Sequence, residues 1–240
     1  GAHIFGAAET RRAVTLPEVK YAASLGYSLF EKPPTGVSGS VGVLLGLRED
    51  MNGQREAALE ARCLTSVVGE EVPFEFMIVS FGPIGGDRTN VAVLYMTAAH
   101  TVPAPVHRAV LTTLLQRVAG VCANIIGDFN AHNARWGRLG VAHSPPVLRG
   151  AAVSDVLGDF IAAGPDTQGT FTCPAIGART TPDAMFAKDG VWGELLVFSC
   201  NELSSVPQGS GHSLLYAPLL LSDAAALQHI IDANATRHRR

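Results

Sequence analysis

The chain has 240 residues, of which 47% are hydrophobic and 16% charged. This charged share lies below the usual figure of about 25%, which excludes a disordered or highly solvated protein. Lys and Arg total 18 against 21 Asp and Glu, so the net charge of −3 excludes a broad basic surface for holding nucleic acid. We therefore expect one folded domain over residues 1–240, with 223–240 as a helical or flexible extension.

Cysteine spacing and hydropathy indicate the compartment. The four cysteines lie far apart and form neither a Cys-x-x-Cys pair nor a zinc-ligand pattern, which favours a reducing, intracellular environment. The longest apolar stretches, near 111–126 and 214–221, are interrupted by polar residues or proline. Neither supplies the ~20 apolar residues of a membrane span, so no membrane partner is expected.

The first half of the chain predicts mainly strands. A short strand is expected over 3–8, followed by a helix over 16–24 with Thr15 as its N-cap and Pro17 in its first turn. Because the first strand begins within two residues of Gly1, we expect further sequence upstream, including a missing N-terminal strand. Gly- and Pro-rich turns then separate further predicted strands over 27–31, 41–47, 57–68, 74–81 and 90–96.

The second half of the chain predicts two helices and a buried strand. Apolar residues at spacings of three and four predict a helix over 106–118, and the apolar run 121–126 predicts a central strand. A second helix is expected over 148–163. Short strands are expected over 170–172, 184–187, 191–198 and 214–221. Together these elements predict an α/β fold of the α+β type, a four-layer sandwich of two packed, mostly antiparallel sheets flanked by helices.

Polar side chains are concentrated where the predicted central strand ends. The stretch 127–133 reads Gly-Asp-Phe-Asn-Ala-His-Asn and is followed by Arg-Trp-Gly at 135–137. On an extended segment Asp128 and Asn130 point to one side and Phe129 to the other, an arrangement suited to orienting a water molecule. An Asx turn that merely closes the strand is the alternative interpretation of Asp-x-Asn.

These residues resemble the endonuclease/exonuclease/phosphatase superfamily, and most closely the apurinic-endonuclease-like domain of non-LTR retrotransposons. The signature of that domain is a strand followed by G-D-F-N-A-H-N and then W-G. Further segments resemble family motifs in the same order along the chain: 8–10, 26–30, 39–47, Tyr95, 170–172, 181–183 and 210–212. The resemblance therefore spans nearly the whole chain.

The resemblance implies a phosphodiester hydrolase that uses Mg²⁺ or Mn²⁺. Glu9 would bind the metal, since a hard cation prefers carboxylate oxygen, although a solvated Glu at a strand end is the alternative. Asp128 would act as general base on the attacking water, and Asn130 would hold that water or a phosphate oxygen. The residues that follow Asn130 in the motif, His132 and Asn133, are expected to close the loop.

The resemblance also assigns residues around the phosphate. His212 would stabilise charge on the phosphoryl oxygens, and Asp183 would orient its ring by accepting the other N–H. Tyr95 would donate a hydrogen bond to phosphate, with a tyrosine of the core or a sheet edge as the equally weighted alternative. Both interpretations of Tyr95 stay open at this point.

DNA is the implied partner, and three side chains are candidates to contact it. Trp136 would stack on a base and Arg135 would bind phosphate, although Trp136 is equally suited to anchoring the loop. Arg11, with Arg12, would supply local positive charge beside Glu9, unless both are ordinary surface residues. A nuclear domain that nicks target DNA, with a reverse transcriptase in the same polyprotein beyond Arg240, follows from this resemblance.

Three departures from the family pattern favour a second hypothesis. The family's first strand, which ends in a metal-binding asparagine, does not precede Gly1, and Ala8 stands where the family has glutamine. Gly211 replaces the aspartate of the closing Ser-Asp-His. A catalytically impaired scaffold or binding domain of the same fold is therefore the alternative, as is a phosphatase of the superfamily.

Overall fold

The computed structural model describes nine segments of the chain in full: 4–8, 10, 12–34, 41–65, 74–82, 87–97, 108–137, 144–163 and 183–188. For 104–107, and for four short strands near the C-terminal end, only the backbone is described. The predicted strand over 170–172 and the predicted extension over 223–240 lie outside these segments.

Two sheets form the framework. The smaller contains β1 (Ile4–Ala8), β2 (Tyr27–Lys32) and β3 (Val43–Arg48), which pair antiparallel in the order β1-β3-β2. The larger has the order β4-β5-β6-β7-β9-β8. Its strands are β4 (Gln54–Arg55), β5 (Phe74–Phe81), β6 (Thr89–Met96), β7 (Asn124–Asp128), β8 (Ile161–Ala162) and β9 (Asp183–Ala187). Strands β6 and β7 pair parallel, and the other pairs of this sheet are antiparallel.

Two further strand pairs follow the larger sheet in the chain. Strand β10 (Val191–Trp192) pairs antiparallel with β13 (Leu219–Leu220), and β11 (Leu196–Phe198) pairs antiparallel with β12 (Leu214–Tyr216). The strands predicted over 191–198 and 214–221 are therefore each represented by two short strands.

In the described part of the chain four α-helices accompany the sheets: α1 (Leu16–Ser24), α2 (Ala57–Leu64), α3 (Ala104–Val121) and α4 (Pro145–Val156), and a short 3-10 helix covers Glu49–Met51. Helix α1 begins as predicted, and the Glu18 carboxylate accepts hydrogen bonds from both N–H and Oγ1 of Thr15, each over 2.8 Å. None of the described helices is long and apolar enough to cross a membrane.

Strand alternation in the larger sheet creates two cores. One face of β5 and β6 packs with residues of α2, α3 and α4 in one apolar cluster, to which these strands contribute Phe74, Phe76, Ile78, Ala92, Leu94 and Met96. The odd-numbered residues, such as Met77 and Val93, pack against Val43, Leu45 and Leu47 of the smaller sheet. The result is an α+β sandwich of two mostly antiparallel sheets with helices outside them, which confirms the predicted fold class.

Two predicted elements are wrong. The strand expected over 57–68 is helix α2, because Ala, Leu, Glu and Arg fill its first turns and favour a helix, while the β-branched residues come only after it. The helix expected over 148–163 ends at Val156, and the chain turns into β8. Apolar residues in β8 continue the hydrophobic pattern of α4, so periodicity did not mark the boundary.

Candidate active site

Three of the predicted site residues lie in one row across neighbouring strands. Tyr95 of β6 is the register partner of Asp128 in the parallel strand β7. Asp128 is in turn the partner of Asp183, the first residue of β9. Because register partners project from the same face of a sheet, the phenol and the two carboxyl groups share one face. The structure therefore brings Tyr95, Asp128 and Asp183 together, although they are far apart in the sequence.

This row borders the space between the two sheets. Val93, Ile126 and Met185, each two residues from a row member, pack into the inter-sheet core. The row itself lies where β6 and β7 end and β9 begins. Tyr95 is 7% exposed and belongs to the inter-sheet core, which confirms a core role for its ring. Its hydrogen bond to phosphate stays a prediction.

Asn130 holds the Asp128 carboxylate. The Asn130 backbone N–H donates to Oδ1 of Asp128 over 2.8 Å, and Nδ2 donates to Oδ2 over 3.2 Å. Nδ2 also donates to the carbonyl oxygen of Met96, at the end of β6, over 2.8 Å. Asp128 is only 3% exposed, so these bonds fix the direction of a buried carboxylate. They also place the amide Oδ1 of Asn130 as the atom that can accept from a water.

The backbone around Asp128 explains two motif residues. Gly127 has φ of 147°, and a Cβ there would overlap the carbonyl oxygen of Leu94 on β6. Asn130 has φ of 43°, a left-handed conformation that asparagine adopts more readily than most residues. Gly127 thus lets β7 lie close to β6, and Asn130 turns the chain beside Asp128.

The loop after Asn130 is docked on helix α4. His132 N–H donates to the carbonyl oxygen of Pro146 over 3.0 Å, and Nδ2 of Asn133 donates to that of Gly150 over 3.2 Å. A Cβ on Gly150 would overlap the carbonyl oxygen of His132, so the glycine permits this close contact. Asn133 Oδ1 also accepts from the Arg135 N–H over 2.9 Å. The expected loop-closing role of His132 and Asn133 is confirmed.

Trp136 and Arg135 do not present their side chains as the sequence predicts. Trp136 is 2% exposed and packs edge-on against Phe186 and near Phe129, so its ring cannot stack on a base in this conformation. Arg135 donates through its terminal nitrogens to the carbonyl oxygens of Ser154, Gly158 and Phe160, near the end of α4. The two side chains anchor the loop, and their contacts with DNA stay predictions.

Arg149 is a site residue that sequence reasoning missed. It lies in α4, is 6% exposed, and donates through Nη1 to the carbonyl oxygen of Thr97 over 2.5 Å and to that of Asn130 over 3.4 Å. Burial lowers the pKa of its guanidinium to about 10, and the nearby Asp128 carboxylate opposes this shift. The group thus remains charged at neutral pH. An Arg in the first turn of a predicted helix, directly before a Gly, was the available signal.

Three other predicted site residues, Glu9, Arg11 and His212, lie outside the described segments. Arg12, predicted with Arg11 to supply positive charge, donates to both carboxylate oxygens of Glu18, over 2.9 and 2.5 Å. The guanidinium of Arg12 is therefore paired with the Glu18 carboxylate and is not directed to the site.

The segments around Glu9 are linked to the row through a fourth row member, the carboxylate of Glu75. Glu75 of β5 is the register partner of Tyr95, and its two oxygens accept from the N–H groups of Val41 and Gly42, each over 3.1 Å. Thr10 bonds to the same pair of residues, its N–H to Gly42 and its Oγ1 to the Val41 carbonyl, each over 3.4 Å. Ala8 packs against the inter-sheet core that contains Tyr95. The residues flanking Glu9 are therefore attached close to this end of the sandwich.

Within the described segments, no three His, Cys, Asp or Glu side chains gather as a metal site. The row nevertheless supplies two carboxyl groups, and Asn130 adds an amide oxygen. These are the oxygen ligands that Mg²⁺ prefers, and Mg²⁺ commonly uses only one or two protein carboxylates. The donor chemistry therefore fits a hard divalent cation.

Solved structures share this fold. No protein-family model and no curated protein sequence matches the chain. The endonuclease domain of TRAS1, a telomere-specific non-LTR retrotransposon, superposes with a TM-score of 0.55 at 14% identity, over 92% of this chain and 100% of that domain. A 3′ phosphatase from Neisseria, bound to a product DNA hairpin, gives 0.53 at 13% identity over 90% and 88%.

A third solved structure carries the superfamily's name. It is an endonuclease/exonuclease/phosphatase family protein from Leptotrichia buccalis, with a TM-score of 0.53 at 10% identity over 90% of this chain and 87% of that one. The common fold agrees with the order of the motifs along the chain. This chain therefore has the fold of the endonuclease/exonuclease/phosphatase superfamily.

Proposed function

We propose that this chain is a divalent-metal-dependent endonuclease that hydrolyses phosphodiester bonds in DNA. The observation that carries the proposal is the row of Tyr95, Asp128 and Asp183 on one face of the sheet, with Asn130 bonded to Asp128. In this proposal a base, a water-orienting amide and a second carboxylate lie side by side where β6 and β7 end and β9 begins. The motif order and the shared fold support the same function.

In the proposed reaction, Asp128 accepts the proton of the attacking water. The N–H and Nδ2 of Asn130 hold the carboxylate from one side, so its orientation is set before substrate binds. The Oδ1 atom of Asn130 accepts from the same water and aligns it. Tyr95, in the adjacent strand, donates to a phosphate oxygen.

The proposed phosphate end of the site pairs Asp183 with His212. Asp183 accepts an N–H of the imidazole and fixes its orientation, and the other N–H stabilises charge that develops on the phosphoryl oxygens. Glu9 would hold Mg²⁺ or Mn²⁺. The cation, when bound, would neutralise phosphate charge and lower the barrier to attack.

The proposed role in the cell is target nicking. TRAS1 is a telomere-specific non-LTR retrotransposon, and the fold similarity extends over its whole endonuclease domain. We propose by analogy that this chain nicks nuclear DNA and leaves a free 3′ hydroxyl. A reverse transcriptase domain in the same polyprotein would extend that end.

Plasmid nicking tests the proposal. Supercoiled plasmid should relax in Mg²⁺, and a chelator should stop the reaction. Asp128→Asn should abolish nicking, because an amide cannot accept the proton, while the isosteric change preserves packing. The exposed residue Asp155 in α4 provides the matched control, and Asp155→Asn should nick at the wild-type rate. Relaxation that persists in Asp128→Asn would contradict the proposal.

A second candidate function, a catalytically silent scaffold, is favoured by Gly211 and Ala8, which replace a family aspartate and glutamine. It predicts that plasmid stays supercoiled in every variant. Gly211→Asp tests both candidates: nicking gained by this single change would identify the missing carboxylate as the defect. Release of phosphate from a 3′-phosphorylated oligonucleotide without plasmid nicking would identify a phosphatase.

A further inference from the structure

Arg149 joins the two strands that carry the site. Thr97 follows the last residue of β6, and Asn130 is the second residue after β7. One Arg149 nitrogen, Nη1, donates to the carbonyl oxygens of both, over 2.5 and 3.4 Å. The segments that leave two parallel strands are thus held by one guanidinium, directly beyond Tyr95 on one strand and Asp128 on the other.

The charge of Arg149 is not needed merely to fill the core. Taking a cation out of water is costly, and methionine fills a similar volume without that cost. Here the buried guanidinium bonds to both strand ends, and the Asp128 carboxylate is the charged group that favours its charged form. A buried cation therefore faces the carboxylate that the reaction uses.

We propose that Arg149 is a positioning residue, which fixes Asp128 and Asn130 relative to Tyr95 by holding both strand ends in one arrangement. The effect on catalysis rests on the proposed function, whereas the effect on local geometry does not. At 6% exposure the side chain does not reach DNA. It acts on the reaction through Asp128 and Asn130 alone.

Arg149→Met tests the proposal in the full chain, because methionine fills similar volume without charge or donors. The first measurement is amide hydrogen exchange of Asn130 by NMR, since this N–H donates to Asp128 Oδ1 and so reports where the carboxylate lies. The second is kcat and KM for plasmid nicking per folded molecule. Arg108→Gln, on an exposed residue of α3, is the matched control.

The expected result is faster exchange of the Asn130 amide, with exchange on β1 to β3 unchanged. Nicking should show kcat reduced about 10–100-fold with KM unchanged, as for other residues that orient a catalytic group. If Arg149 serves stability alone, Arg149→Met should lower the free energy of unfolding. Amide exchange of Asn130, measured under conditions where the protein is folded, and kcat per folded molecule should then both keep their wild-type values. That outcome would overturn the proposal, as would a rise in KM at constant kcat.

Two further outcomes stay decisive. If the wild-type protein does not nick DNA, the proposed function fails, and the exchange of the Asn130 amide alone decides the role of Arg149. If Arg149→Met does not fold, Arg149→Lys replaces it. Lysine keeps the charge but lacks the planar group, so exchange should rise and kcat should fall less than in a neutral variant. Wild-type values for both quantities in Arg149→Lys would overturn the proposal.

Discussion

Asn130 closes a hydrogen-bonded ring with Asp128, since its N–H and its Nδ2 donate to the two carboxylate oxygens over 2.8 and 3.2 Å. The sequence allowed two interpretations of Asp-x-Asn, an Asx turn or a pair that orients water. In the structure the same hydrogen bonds form the turn and hold the pair. The left-handed φ of Asn130 directs its amide back to Asp128 and to the carbonyl oxygen of Met96. A turn that only ended the strand would not need the bond to β6.

Substitution of Asn130 separates its backbone role from its side-chain role. Asn130→Gly keeps access to the left-handed conformation and loses the amide, whereas Asn130→Ala loses both. We expect both variants to nick plasmid at least about 10-fold more slowly, because the water loses an orienting group. Asn130→Ala should also be less stable than Asn130→Gly by about 1 kcal/mol, measured by urea unfolding.

The comparison of these two variants distinguishes the roles. Slower nicking in Asn130→Ala than in Asn130→Gly would mean that the backbone turn supports the reaction in addition to the amide. Nicking at the wild-type rate in Asn130→Gly would remove Asn130 from the site.

Several elements of this fold follow from local patterns. Helix α1 and strand β5 have the predicted boundaries, because Thr15 and Glu18 form a local cap and strand β5 is bounded by segments that do not continue its apolar run. Helix α2 was not predictable by the same means. Its helical residues run directly into β-branched ones, so the local signal was mixed, and packing of Cys63 against the larger sheet decides the outcome.

The site was predictable only in part. The motif predicted that Asp128 and Asn130 act together, and their hydrogen bonds show them as a pair, although Asp128 is buried at 3% exposure. The register that aligns Tyr95 and Asp183 with Asp128 depends on long-range strand pairing, which no local pattern encodes. Trp136 was ambiguous for the same reason, since only the tertiary structure places Phe186 against its ring.

Gly150 and Gly120 both lie in helices, and we expect alanine at these two positions to have opposite effects on the free energy of unfolding. A Cβ on Gly150 would overlap the His132 carbonyl oxygen, whereas nothing lies within 4 Å of a Cβ on Gly120 in α3. Gly150→Ala should lower the free energy of unfolding by about 1–3 kcal/mol through overpacking. Gly120→Ala should raise it by about 0.4–1 kcal/mol by restricting the unfolded chain. Urea unfolding of both variants checks this, and a stabilised Gly150→Ala would show that α4 does not contact the loop so closely.

Trp136 should matter for stability and not for DNA affinity. Removal of its ring leaves a cavity between Phe129 and Phe186, so Trp136→Ala should cost about 3–5 kcal/mol. Trp136→Phe should cost much less, because an aromatic ring still fills most of that space. Fluorescence anisotropy with labelled duplex DNA, at a temperature where each variant is folded, should give the wild-type Kd for both. A weaker Kd in folded Trp136→Phe would restore the stacking role.

His132 should make the fold sensitive to acid. Burial lowers the pKa of its imidazole below the ordinary value of 6.5, so the folded protein favours the neutral ring. The unfolded chain then binds the proton more readily, and the stabilising contribution, present in full above about pH 6.5, is lost as pH falls through the folded pKa. His132→Gln removes this titration. The difference in unfolding free energy between pH 7.5 and 5.5, measured with urea, should therefore be smaller in His132→Gln than in the wild-type protein. An equal difference in the two proteins would mean that His132 is protonated as readily in the folded state as in the unfolded chain.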